Sequence, residues 1–153
     1  MYAGLSMIKT SGILPKPSVW GPVVWSLLHA IGSRAGKGPE KTRIDERRVF
    51  IWLIDNLDTV LPCQECRAHF REVRKKVVLE DSYAEWIWRL HEAVNEKLGK
   101  VGVPFTEDLG SGVNVKETWK IYKNLLHEYV LTNSTAMKEY TRGLGLWAGF
   151  AGV

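Results

Sequence analysis

Cysteine is nearly missing from this chain: two thiols, Cys63 and Cys66, stand among 153 residues. Two cysteines cannot build the disulfide framework of a small secreted scaffold, so the fold must rest on its apolar core. A chain of this length can bury such a core within one domain. No apolar run reaches the roughly 18 residues of a membrane helix. The opening stretch MYAGLSMIKTSG has no charged leader followed by an apolar run, so no secretory signal is expected. Internal repeats, low-complexity tracts and convincing strand patterns are missing as well. The histidines His29, His69, His91 and His127 are scattered, with no closely spaced metal-binding pair. Charge of one sign barely dominates. A net charge of +4 suits phosphate groups or nucleic acid no better than a solvated surface.

What the chain does have is tryptophan, seven in all, and helical periodicity. Trp20, Val24, Leu27, Leu28 and Ile31 predict a first helix over about residues 18–33, capped by Ser18 with Pro22 in its first turn. RAGKGPEKT reads as a surface loop. Val49, Trp52, Leu53, Leu57 and Val60 predict a second helix over about 44–60. Pro62 interrupts, and a third helix is expected from Cys63 through RAHFREVRKKV. The stretch SYAE, Ser82 to Glu85, is a capping box that opens a fourth helix, which Gly99 stops. Asn114, with Glu117 three residues on, opens a fifth through Trp119, Tyr122, Leu126 and Tyr129. A shorter helix is expected after Ser134, and the Gly-rich tail GLGLWAGFAGV is expected to be mobile or docked on a partner. The fold class is therefore all-α, a bundle of four to five helices with an additional C-terminal helical segment. The expected organisation is a flexible N-terminus over 1–16, one functional domain over 17–130 and an extension over 131–153.

The spacing of the two thiols narrows the chemistry. A zinc site needs four ligands; His69 extends the pair to C-x2-C-x2-H, and no fourth ligand is evident. Two unrelated buried thiols are the plain structural alternative. A redox pair has physics behind it, because a helix start offers unpaired N–H groups and a dipole that favour thiolate. Arg67, Arg71 and Arg74 follow at helical spacing and add positive potential. A thioredoxin-like fold would need strands around the motif, and the chain offers helices. A dithiol on a helical scaffold needs another electron acceptor. Trp25 and His29 share one helix face, and Trp88, His91 and Asn95 form a stripe on another. Aromatic stripes are usually core. A buried imidazole and amide must nevertheless find partners, and a heteroaromatic ring with polar edges would provide them, with Lys97 and Lys100 close behind for phosphates.

In this order, WSLLH, PCQEC, WIWRLHEAVNEKLGK and ETW resemble the motifs of the Erv/ALR family of FAD-dependent sulfhydryl oxidases, over about Trp20 to Tyr122. The leading WGP is similar to members encoded by large DNA viruses. The resemblance implies FAD in a helical bundle with its reactive ring beside the cysteine pair. Trp20, Trp25 and His29 would line it from the first helix, and Cys66 would meet the ring. His91, Asn95, Leu98 and Lys100 would hold the adenosine and phosphate portion, with Trp119 near the adenine. It implies a cycle in which a substrate thiolate attacks Cys63, Cys66 passes two electrons to the flavin, and molecular oxygen leaves as hydrogen peroxide. The implied partners are thiol-containing proteins and oxygen, with no membrane or nucleic acid, and a homodimer. The chain departs from the family at Glu92, where an Asn is usual, and has neither the extra structural disulfide nor a shuttle pair.

A basic helical nucleic-acid-binding or scaffold protein is the competing class, resting on REVRKK. Asp45, Glu46, Asp55 and Asp58 provide an acidic counterweight, and no basic–aromatic motif of a known reader is present. A disulfide generator without a signal peptide is expected in the cytoplasm, a host cytoplasm or virion if viral.

Overall fold

The computed structural model describes residues 14–153, and its described residues contain helices and turns with no strand. Seven α-helices follow in order: α1 (Pro17–Arg34), α2 (Arg43–Asp55), α3 (Gln64–Lys76), α4 (Tyr83–Leu98), α5 (Val115–Leu125), α6 (His127–Thr132) and α7 (Ser134–Ala151), with 3-10 turns at Glu40–Thr42 and Leu57–Val60. The expected all-α class holds. The flexible segment expected over 1–16 lies outside the described residues except for 14–16.

The local chemistry of the helix ends explains most boundaries. Ser82 accepts the Glu85 backbone N–H at 3.1 Å, and α4 ends on Gly99 in the left-handed region. Asn114 accepts from Glu117 N at 2.9 Å and opens α5. Each such cap is worth about 1 kcal/mol. Ser18 does not cap α1. Pro17 takes the first helical position behind Lys16, where its missing N–H costs nothing. The second helix is shorter than expected, because Asn56 leaves helical geometry and the chain tightens to a 3-10 turn that still buries Leu57 and Val60. The fifth also breaks early, at Leu126, whose fully buried side chain sits between α5 and α6.

Packing is organised around α1. One side of it lies on α4, the other on α5, while α3 packs on α4 and α2 on α7. Gly32 allows the α1–α4 approach: a Cβ there would stand 3.0 Å from Ile87 Cγ1 and 3.4 Å from Ala84 Cα. Leu27, Leu28, Ile31, Phe50, Leu53, Ile54, Ile87 and Leu90 are sealed in the core. Each contributes roughly 1.5–3 kcal/mol through removal from water.

The C-terminal tail differs most from expectation. It is an 18-residue helix rather than a short one, and Met137, Tyr140, Leu144, Trp147 and Ala151 face the same core as α2. Trp147 is fully buried and donates its indole N–H to Glu46 at 3.1 Å. Glu46 is correspondingly no surface counterweight. Only 2% exposed, it accepts the Gly36 N–H at 2.9 Å as well, so its carboxylate is satisfied by two donors inside the protein. Tyr140 donates to Leu53 O at 2.7 Å.

Candidate active site

The cysteine pair stands at a helix start, as its spacing suggested. Cys63 is the N-cap of α3, and its sulfur accepts the Cys66 backbone N–H at 3.2 Å. Both cysteines are free and half-buried. The electrostatics differ from expectation. Burial first, then the hydrogen bond with Cys63 and the negative neighbours Cys63 and Glu65, push the Cys66 thiol up to about 12. The arginines expected to favour its anion are engaged elsewhere. Arg71 pairs with Asp58 at 2.9 Å and Arg74 with Asp55 at 3.6 Å. Arg67 turns back to Leu61 O at 2.6 Å and the Tyr129 hydroxyl at 2.5 Å. These ion pairs also consume much of the REVRKK charge.

A second cluster is built by α1 and α4. One helical turn separates Trp25 from His29 on α1, so both meet α4, where His91 stands opposite. The indole of Trp25 stacks on the His91 ring with centroids 4.0 Å apart and planes 6° apart. His29 Nε2 and His91 Nδ1 are 3.0 Å apart, a hydrogen bond that needs one protonated and one bare nitrogen. Burial lowers His29 to about 4, and burial, His29 and then Lys100 lower His91 to about 4. Both rings are neutral at pH 7. Behind them Gly110, at φ +88°, brings the α4–α5 loop onto α1, where a Cβ would lie 2.5 Å from the His29 carbonyl carbon.

Asn95 is buried one turn beyond His91, and the loop passes close enough at Gly102 that a Cβ there would collide with Glu92 Oε1. Lys100 is exposed just past the end of α4, and Leu98, the last residue of that helix, is 56% exposed. Lys100 joins Arg89, Glu92, Glu96, Val101 and Gly102 around an open groove of about 480 Å³. Trp20 and Trp119 lie deeper. Both flank Tyr122, with ring centroids at 6.4 and 5.5 Å, and the Trp119 indole donates to Thr141 at 2.8 Å. The structure thus joins Trp25, His29 and His91 directly, while Trp20 and Trp119 belong to the aromatic core behind them.

By sequence spacing His69 suggests only a metal ligand beside the cysteines. Its Nε2 is buried with no hydrogen-bond partner, one turn beyond Cys66 on the helix that packs on α4. Burial, then Lys97, lowers its pKa, so the unpartnered nitrogen belongs to a neutral ring. The Cys66–His69 spacing of three was the available signal. Among the described residues no three His, Cys, Asp or Glu side chains group as a metal site.

A dithiol at a helix start thus stands on a helical bundle whose α1–α4 face joins indole and imidazole. The Erv1 / Alr family model matches residues 22–120, and the chain belongs to that family. It is 28% identical over 100 residues to FAD-linked sulfhydryl oxidase ERV1 of Arabidopsis thaliana, covering 63% of this chain and 50% of the relative. With mitochondrial FAD-linked sulfhydryl oxidase erv1 of Schizosaccharomyces pombe it shares 31% over 93 residues, 57% of this chain and 50% of the relative. Sulfhydryl oxidase 1 of Oryza sativa subsp. japonica is 29% identical over 102 residues, 63% of this chain and 18% of that protein. The chain thus spans half or less of the length of these relatives. No solved structure matches.

Proposed function

We propose that this protein is an FAD-linked thiol oxidase that forms disulfide bonds in substrate proteins. The observation that carries the reading is the family's dithiol at the start of α3, on the helix that packs on α4, with His69 Nε2 buried and unpartnered one turn away. A neutral imidazole with an open nitrogen suits a flat heteroaromatic group with polar edges. Neutral His91, stacked on Trp25 and hydrogen-bonded to neutral His29, suits the same kind of ligand. The residues present fit FAD on these grounds.

Trp25, His29, His91, Asn95 and Cys66 are the proposed contacts, with His69 added to them. Leu98 and Lys100 serve the phosphate end, and Trp20 and Trp119 back the pocket through the core. The proposed unit runs over 17–130 and is completed by α7 from the 131–153 segment. A substrate thiolate attacks Cys63 of the Cys63–Cys66 disulfide, forming a mixed disulfide and releasing the Cys66 thiolate. A second substrate thiol then displaces Cys63, leaving substrate disulfide and a reduced pair. Bound FAD would accept the two electrons and hand them to oxygen, yielding peroxide. The raised Cys66 pKa makes that sulfur the better proton keeper and the poorer leaving group.

Thiol-containing proteins and oxygen are the proposed partners, in a homodimer without nucleic acid. No helix among the described residues is long and apolar enough to cross a membrane; a cytoplasmic location is part of the proposal. The test is the visible spectrum and flavin content of the purified protein, then of His91→Ala and Asn95→Ala. Wild type should be yellow, and each variant should lose roughly ten- to a hundred-fold in FAD affinity, the cost of leaving ligand polar groups unpaired. Colourless wild-type protein that gains no flavin on incubation with FAD would overturn the reading.

A further inference from the structure

We infer that Arg67 and Tyr129 are positioning residues for the redox pair, forming a clamp that holds the Leu61–Cys66 turn shut; the inference rests on the thiol-oxidase reading. Arg67 is the residue directly after Cys66, yet its side chain reaches back across the motif to Leu61 O at 2.6 Å. The same guanidinium donates to the Tyr129 hydroxyl at 2.5 Å, with its carbon 5.7 Å from that ring's centroid. The hydroxyl in turn donates to Leu61 O at 3.2 Å. One carbonyl, two residues before Cys63, therefore receives both partners, which also bond each other. This closes a ring of side chains around the residues that flank the thiols.

The geometry is specific to this point in the chain. Tyr129 is buried at 6% exposure on α6, outside residues 22–120 shared with the family; its ring packs into the core and its hydroxyl also lies 3.4 Å from Thr59 O, on the same stretch of backbone. Burial raises its pKa, so it remains a phenol and can donate to the carbonyl at neutral pH. Cys63 keeps its N-cap geometry, with its sulfur on Cys66 N, only while the backbone entering the helix is fixed. The clamp fixes it from both sides. Loosening it should let water reach Cys66, whose thiol is held protonated chiefly by burial.

The experiment follows alkylation of each cysteine in the fully reduced protein by mass spectrometry across pH, in wild type, Tyr129→Phe, Arg67→Lys and the double variant. Alkylation needs no flavin, so it reads the clamp even if the oxidase reading fails, and flavin content of the same samples reads the latter. Tyr129→Phe and Arg67→Lys should each speed Cys66 alkylation at neutral pH by about tenfold, the equivalent of one hydrogen bond to a charged group. The double variant should add little, since either change opens the same ring. Tyr140→Phe, which loses an equivalent hydroxyl bond to Leu53 O away from the pair, should leave the rate unchanged. A Cys66 rate within twofold of wild type in Tyr129→Phe overturns the inference, as does equal acceleration in Tyr140→Phe. If Tyr129→Phe does not fold, Arg67→Lys decides by the same criterion.

Discussion

Removing the Trp147 side chain should show whether the C-terminal helix is part of the folding unit. Trp147 is fully buried, and its indole N–H is one of two donors to the buried Glu46 carboxylate. Trp147→Ala opens a large cavity between α2 and α7, at a cost of about 3–5 kcal/mol. Trp147→Phe keeps most of the volume and leaves Glu46 one donor short, which costs about 1–3 kcal/mol. Domains of this kind have only about 5–15 kcal/mol in all. Urea melts followed by far-UV circular dichroism give the answer, run at matched flavin content because a bound ligand adds stability by mass action. With a slope of about 2 kcal/mol per molar urea, Trp147→Ala should lower the midpoint by about 2 M, and Trp147→Phe by less. Leu146→Ala, at a position 46% exposed on the same helix, should move it by no more than about 0.3 M. Truncation after Tyr140 removes Leu144, Trp147 and Ala151 from the core together and should leave no cooperative transition. A midpoint for Trp147→Ala as high as that of Leu146→Ala would refute the reasoning.

Two further outcomes follow from the imidazole cluster. His29 is depressed to about 4 by burial, so its contribution is present above pH 6.5, its unfolded value, and lost as pH falls through 4; that loss is about 3 kcal/mol. Urea midpoints between pH 7 and 4 should therefore fall more steeply in wild type than in His29→Asn, and parallel profiles would remove His29 from the explanation. Gly110→Ala should cost about 2–4 kcal/mol and impair flavin retention, because it adds a left-handed penalty to a clash with the His29 backbone. Gly112→Ala has open space around it and should change thermal stability and flavin content little.

Much was decided locally, and is therefore visible in the residues. Ser82 with Glu85, Asn114 with Glu117 and Gly99 act within one turn of where they stand, so these helix starts and stops follow from neighbours in the chain. The helical periodicity fixes the all-α class, and the C-x-x-C spacing fixes a thiol pair one turn apart, with Cys63 at the helix start. The motif order carries the family for the same reason: it records which residue types stand at which helical positions.

The tertiary structure decided where charges and glycines come to rest. Arg67, Arg71 and Arg74 follow the cysteines at helical spacing, but Leu61, Tyr129, Asp58 and Asp55 draw their side chains away, and burial governs Cys66 instead. Glu46 sits in a charged run and would be solvated on an isolated helix; the Gly36 N–H and the indole of Trp147, 101 residues later, together make its burial tolerable. Glycines in the tail each cost about 1 kcal/mol of helix propensity, which favours a loop when neighbours alone are counted. Burial of Tyr140, Leu144 and Trp147 against α2 outweighs that cost. The His29–His91 bond spans 62 residues, and no local pattern encodes it. Such long-range contacts depend on how α1 lies on α4, a property of the packed chain rather than of any stretch of it.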